Sequence, residues 1–294
     1  MITFTIVKDI ISSVNRLLTE WSLSRRKVFS NCPRRFILRY GLNSSSNQHS
    51  TRKFGKIAIK DIFIVTLREV FFDWLNDLHS NVVWTEKKLY SSVKFKITIN
   101  TTDIDRSSKR ITQSQRNQLI SIGFSRLKGL MKLNLIRKIT TGRIREWSCH
   151  KRIKKTFFGH LEVYCSPDIV FRVKSKWHLV RLNFQAEHKQ PYHDLELSSM
   201  LLWSKGNQYL PNLAERFVLH SIEYRKGKWS SVSFKPEQST LQEAKQLLEK
   251  DVHNMNILQN DFYRIGDVNR LPLAKCKLYC TRCPYRLNCP VEHG

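Results

Sequence analysis

Cys276-Lys-Leu-Tyr-Cys280-Thr-Arg-Cys283-Pro-Tyr-Arg-Leu-Asn-Cys289-Pro290 carries four of the chain's seven cysteines. The Cys-x2-Cys-x5-Cys run inside it is too compact to be chance in 294 residues, and thiolates so spaced bind zinc or an iron–sulfur cluster. Spacing alone does not separate the two. Cys276, Cys280, Cys283 and Cys289 would close a local tetrahedral zinc site; the alternative takes three local thiols and a fourth from afar.

Charge gives the second constraint. Lys and Arg number 51 against 24 acidic residues, a formal charge of +27. That excess points to a polyanion, nucleic acid first, because a phosphate backbone rewards many Lys/Arg contacts through counterion release; the preference for DNA over RNA comes with the family resemblance given below. Candidate phosphate contacts are Arg34 and Arg35 and the run Lys151, Arg152, Lys154 and Lys155; the competing reading of such a run is a solvated face. The N-terminal residues lack a basic segment followed by an apolar one, and no stretch approaches the roughly 18 apolar residues of a membrane span. A cytoplasmic protein without a membrane partner is expected, nucleoid-associated in a bacterium or archaeon, with its cysteines reduced rather than paired.

Apolar periodicity predicts helices over 3–20, about Ser24 to Tyr40, about Gly55 to Leu78, 112–133, 194–204 and 240–258. Residues 43–51 read as a polar loop. A hairpin is expected from Leu135 to Trp147, turning at Thr140-Thr141-Gly142. Helix plus basic hairpin resembles part of a winged helix; an ordinary helical insertion is the alternative. Residues 161–173 and 177–185 read as two strands joined at Lys174-Ser175-Lys176, with a further strand pair near 216–234. Mixed strands and helices without regular alternation predict an α/β domain with helical additions.

Near the N-terminus the sequence reads Ser22-Leu-Ser24-Arg-Arg-Lys-Val-Phe-Ser-Asn-Cys32-Pro33-Arg34-Arg35-Phe36-Ile-Leu-Arg-Tyr40-Gly-Leu42. Together with the cysteine tail, preceded by Leu271-Pro272, this resembles the iron–sulfur nucleases of the RecB branch of the PD-(D/E)XK superfamily. That branch includes AddB-type helicase–nuclease subunits, CRISPR-associated exonucleases and exonuclease V. The resemblance implies a restriction-endonuclease-like α/β core with helical additions and a Cys-ligated C-terminal iron–sulfur segment. It implies a [4Fe–4S] cluster on Cys32, Cys280, Cys283 and Cys289, leaving Cys276 spare. Cys149 and Cys165 read as small buried residues. The implied organisation is one domain over 1–294: N-terminal helices with Cys32 over 1–45, an insertion over 80–145, core sheet and helices over 146–260, and a cluster-binding tail over 270–294.

The same resemblance implies a catalytic set of carboxylates and a Lys around Mg²⁺ or Mn²⁺, and most of it is replaced. Glu162-Val-Tyr-Cys-Ser-Pro167-Asp168 supplies a matching Asp at Asp168. Where the family has Asp-x-Lys, Trp177-His-Leu-Val-Arg181-Leu-Asn183 shows Arg181 and Asn183. Its Gly-x-x-x-His falls on Gly55-Lys-Ile-Ala-Ile59, and its Gln and Tyr fall on Glu196 and Met200. A rival register spells the motif with Asp168, Glu187 and Lys189, close to His188, His193 and Asp194. Asp168 is expected to face roughly residue 182 across the hairpin, which leaves Glu187 on the order of 16 Å beyond it at the usual strand rise.

Three functions follow. The first is a catalytically inactive nuclease-like DNA-binding scaffold or DNA-guiding subunit, beside a helicase or nuclease partner in DNA repair, recombination or defence. The second is an active metal-dependent deoxyribonuclease. The third is a zinc-stabilised basic adapter for RNA or protein.

Overall fold

In the strand Lys176–Asn183 four successive residues, Leu179, Val180, Arg181 and Leu182, are buried. A strand buried on both faces has to be central in a sheet with layers on either side. The computed structural model describes residues 20–41, 59–105, 111–150, 154–186, 192–281, 283–286 and 289. Its elements, in chain order, are β1 (Glu20–Ser22), α1 (Leu23–Asn31), α2 (Pro33–Phe36, continuing as a π turn Ile37–Gly41), α3 (Ile59–His79), α4 (Glu86–Asp105), α5 (Gln113–Met131), α6 (Asn134–Thr140), β2 (Trp147–Cys149), β3 (Thr156–Phe158), β4 (Leu161–Tyr164), β5 (Ile169–Val173), β6 (Lys176–Asn183), α7 (Tyr192–Lys205), β7 (Phe217–Arg225), β8 (Lys228–Phe234), α8 (Gln238–Ile265) and α9 (Leu278–Thr281). The fold is mixed α/β.

Five strands form the main sheet in the order β2-β5-β6-β7-β8, with β1-β4-β3 as a smaller sheet. All neighbours in the main sheet are antiparallel except β6 and β7. That parallel pair needs a crossover, and α7 supplies it. On one face Ile169, Phe171, Val180, Leu182 and Ile222 pack under α3 to α6, against Leu67, Phe71, Val93 and Leu127. On the other, Val170, Leu179 and Leu219 pack under Met200 and Leu201 of α7 and Leu241, Ala244 and Leu248 of α8. The far half of α8 buries Met255, Leu258 and Phe262 against Val28, Phe36 and Ile37, the i, i+3, i+4 stripe of an amphipathic helix. Full burial of each such side chain contributes about 1.5–3 kcal/mol.

Three expectations are corrected. The segment after Leu135 is a helix, not the first strand of a hairpin. Ile136 and Ile139 fall at helical spacing and pack into the core with Ile144, while Thr141 and Gly142 (φ 69°) end α6. The turn signal was a helix stop, and no winged-helix hairpin forms there. Second, 161–173 is two strands in two sheets, because Pro167 offers no N–H to continue a ladder. Third, the helix predicted from Ser24 to Tyr40 breaks at Cys32 (φ −158°, ψ 105°), since a residue before proline is driven out of the helical region. Two helical expectations, 3–20 and the start at Gly55, fall largely or wholly outside the described residues, as does the 43–51 loop. No described helix is long and apolar enough to cross a membrane.

His178 Nδ1 and His220 Nε2 lie 2.7 Å apart on β6 and β7. Burial is the first cause that lowers both, His220 to about 4, and it likewise pulls His150 to about 4. Lowered values mean that the unfolded chain binds protons first. Their stabilisation is therefore complete above the ordinary histidine value of about 6.5 and is lost as pH falls towards 4. The melting temperature is expected to drop between pH 7 and pH 5, less steeply in His220→Gln, measured by circular dichroism.

Candidate functional site

Breaking the helix at Cys32 exposes the start of α2, and the cysteine caps it. Cys32 Sγ accepts a hydrogen bond from Arg35 N at 3.4 Å, and Pro33 fills the first helical position, where its missing N–H costs nothing. The sulfur is thus held at a kink instead of along a helix side. The tail comes to it. Arg34 is buried; its Nε donates to Leu271 O at 2.8 Å, its guanidinium reaches Asn269 O, and Nη1 lies 3.9 Å from Cys289 Sγ. Lys275 N donates to Asn31 O at 3.3 Å.

Cys32, Cys280, Cys283 and Cys289 consequently line one pocket, open to solvent, with Leu38, Leu273, Ala274, Tyr279, Arg35 and Arg286. Cys276 is exposed and is not in its wall. Burial, followed by the neighbouring thiols Cys283, Cys280 and Cys289, pushes the Cys32 thiol up. Such a set relaxes when a cationic centre takes the protons' place. Among the described residues no three His, Cys, Asp or Glu side chains converge on a single ion-sized point. The residues fit a larger thiolate-bound group: four sulfurs share one wall, an N–H and a guanidinium are aimed at two of them, and two arginines offset negative charge. Of the two cysteines expected to be buried, Cys165 is and Cys149 is only partly so. Cys165 is buried, its thiol on Ser199 O at 2.8 Å and pushed up to about 12 by burial; Cys149 lies 3.2 Å from Asn76 Oδ1.

Asp168 sits just before β5, opposite Arg181, one place from the expected 182, because Ile169 pairs with Val180. It is fully buried. Oδ2 accepts Leu182 N at 2.7 Å, and Oδ1 is paired with the Arg68 guanidinium from α3. Arg181 Nη1 lies 3.7 Å from Oδ2 and donates to Ser166 O at 2.9 Å. Arg181 Nε is 3.2 Å from Glu196 Oε1 on α7, within ion-pair range although its N–H is not aimed at that oxygen. Two carboxylates and two guanidinium groups close the site. A divalent cation entering it would meet both arginines.

The other implied catalytic positions bring no chemistry here. Met200 is fully buried, Ile59 is partly exposed at the start of α3, nine residues from Arg68, and Asn183 accepts Gln185 N at 3.3 Å. Glu187, His188 and Lys189 lie outside the described residues, as do Lys151 and Arg152; His193 and Asp194 fall in the first turn of α7. Arg68 was missed, since one Arg between buried Leu67 and Val70 gives no signal in the sequence. Of the expected phosphate contacts, Arg34 is turned inward, Arg35 lines the thiol pocket, Lys155 is paired with Glu162 at 3.0 Å, and Lys154 lies over the Trp203 ring at 5.8 Å.

Arg181→Met leaves Asp168 and Glu196 short of positive charge. A loss of about 3–5 kcal/mol in urea unfolding is expected, the range for a broken buried pair, with part recovered in Arg181→Met/Asp168→Asn.

No family model and no curated protein matches the chain. Among solved structures, the crystal structure of SSO0001 is similar over 79% of this chain and 96% of its own, at 11% identity and a TM-score of 0.29, a likeness too slight to assign a fold.

Proposed function

We propose that this chain is a nuclease-like protein of the PD-(D/E)XK type that has exchanged its catalytic metal for a salt bridge, binds DNA, and carries a [4Fe–4S] cluster on Cys32, Cys280, Cys283 and Cys289. The observation that carries the reading is the shared pocket. Four thiols from opposite ends of the chain line one wall while Cys276 stands outside it. A local zinc site would have needed Cys276. When bound, the cluster supplies four iron–thiolate bonds that tie the tail to α2. In this chain Cys32 offers its sulfur at the helix break, Arg34 sets the tail's position, and Arg35 and Arg286 balance charge.

The nuclease-like part of the reading is supported by connectivity. A hairpin β5–β6 with an acid at its start is followed by α7 and a parallel β7, which is where the resemblance expects the hairpin and the later helix. The loss of catalysis is supported by Arg181, whose guanidinium lies 3.7 Å from the Asp168 carboxylate and would oppose a metal cation there. The charge of +27 supports DNA binding, and a scaffold or DNA-guiding role beside an active helicase or nuclease is what the resemblance implies for a chain whose catalytic positions are replaced.

Anaerobic purification is expected to give a brown protein absorbing broadly near ~400 nm with about four irons per chain, the stoichiometry of such a site. Cys32→Ser loses the iron and Cys276→Ser keeps it. One zinc that depends on Cys276 and not on Cys32 would sink the reading. In a cleavage assay with Mg²⁺ or Mn²⁺, linear and single-stranded DNA are expected to stay intact. Metal-dependent cutting abolished by both Asp168→Ala and Lys189→Ala would show an active nuclease instead.

A further inference from the structure

The arginines and lysines expected to hold phosphate are largely engaged elsewhere, yet the charge excess has to lie somewhere. One rim of the main sheet holds a dense part of it. This is the end where β5 turns into β6 and where β7 begins, the opposite end of β6 from Asn183. The hairpin tip brings Arg172, Lys174 and Lys176 there, by the pairing of Val173 with Lys176. Trp177 pairs with Phe217, so Arg216 stands beside Lys176, and Lys176 Nζ reaches Glu215 O.

The segment from α6 to β2 borders the same rim. Arg172 N donates to Glu146 O at 2.9 Å, and Ile144 N to Lys138 O at 2.9 Å. Burial of Ile136, Ile139 and Ile144 leaves Arg137, Lys138, Arg143 and Arg145 outward and exposed. Eight cations thus face two carboxylates, Glu146 and Glu215. That is about twice the basic excess of the chain as a whole, 51 to 24. Only Arg172, with Glu146 at 3.6 Å, makes an ion pair among the described residues of this rim. Adjacent strands are about 4.8 Å apart, so 172, 176 and 216 fall within about one Debye length, where potentials add.

We infer that this rim, formed by the end of α6, the 141–146 segment and the β5–β6 turn, is the surface that holds the phosphate backbone of duplex DNA. This rests on the nucleic-acid reading above and gives it a location. The backbone is the part recognised. The rim offers a row of cations, and contacts of that kind position a duplex without reading its bases.

The test is fluorescence anisotropy with a labelled random-sequence duplex across a salt series, using the full chain. One variant carries Arg137→Gln, Arg143→Gln, Arg145→Gln and Lys174→Asn, the last chosen because Lys174 has φ 53°, which Asn tolerates. A control removes the same charge from exposed helix positions, Lys60→Gln, Lys87→Gln, Lys94→Gln and Lys250→Gln. Melting temperatures of both should match the wild type, since no replaced side chain is buried. The rim variant is expected to bind at least about tenfold more weakly, with a salt slope reduced by roughly three to four, near 0.9 for each phosphate no longer neutralised. The control should stay within about threefold of wild type. Equal weakening in both variants, or none in the rim variant, overturns the rim while DNA binding stands. A wild type without salt-dependent duplex binding overturns both. If the rim variant loses only its binding to phosphatidylserine vesicles, the rim serves a membrane surface and the inference fails.

Discussion

A carboxylate sealed from water has to be answered by positive charge, and Asp168 is answered twice. Arg181 meets it from the neighbouring strand and Arg68 from α3, while Glu196 on α7 holds Arg181 from the other side. The cluster therefore touches both helical layers and the sheet between them. It fixes how α3 and α7 sit against the β5–β6 hairpin in a way that apolar packing alone leaves degenerate. Charge balance also makes it exclusive: two anions are matched by two cations, and the Arg181 guanidinium directs further donors to the Ser166 and Cys165 carbonyls. The polar centre thus works as a lock.

The second closure joins the chain's two ends. Arg34 reaches carbonyls of the Asn269–Leu271 segment, more than two hundred residues away in sequence, and α8 buries its far half against α2. These bonds hold the tail against α2, where the four thiols line one pocket. A group held there would add to the closure that these hydrogen bonds and this packing make. The effect grows with the length of chain enclosed, because loop-closure entropy removed from the unfolded state rises with loop length. The two closures divide the labour, one fixing the sheet against its helices and the other fixing the ends.

Particular residues show where sequence reading succeeded. The β5–β6 turn, the β7–β8 pair, α5 and α8 carry their periodicity openly, and α8 overran its expected end only because nothing stops it before Gly266, whose φ of 71° caps it. The failure at Leu135–Trp147 had a local cause: the Thr-Thr-Gly signal serves a helix stop as well as a hairpin turn, and only packing of Ile136 and Ile139 decides between them. Residues 86–105 were not assigned as a helix, since Phe95 and Ile99 are exposed and blur its amphipathic stripe. Arg34 was legible as a cation and illegible as an anchor, because its partners are backbone carbonyls that have no sequence signature.

The sequence by itself determined the α/β class, the position of Asp168 at the β5–β6 hairpin, and the excess of positive charge; the break at Cys32-Pro33 was present in the sequence but was read as unbroken helix. Each depends on near neighbours: a proline restricts the residue before it, alternation follows from the two-residue repeat of a strand, and charge is a sum. Tertiary structure alone decided that Arg34 anchors the tail beside Cys32, that Arg68 answers Asp168, and that cations of the α6–β2 segment stand beside those of the β5–β6 turn. Those are relations between residues tens to hundreds of positions apart, and they are set by which buried faces pack together, a choice that no local stretch of sequence contains.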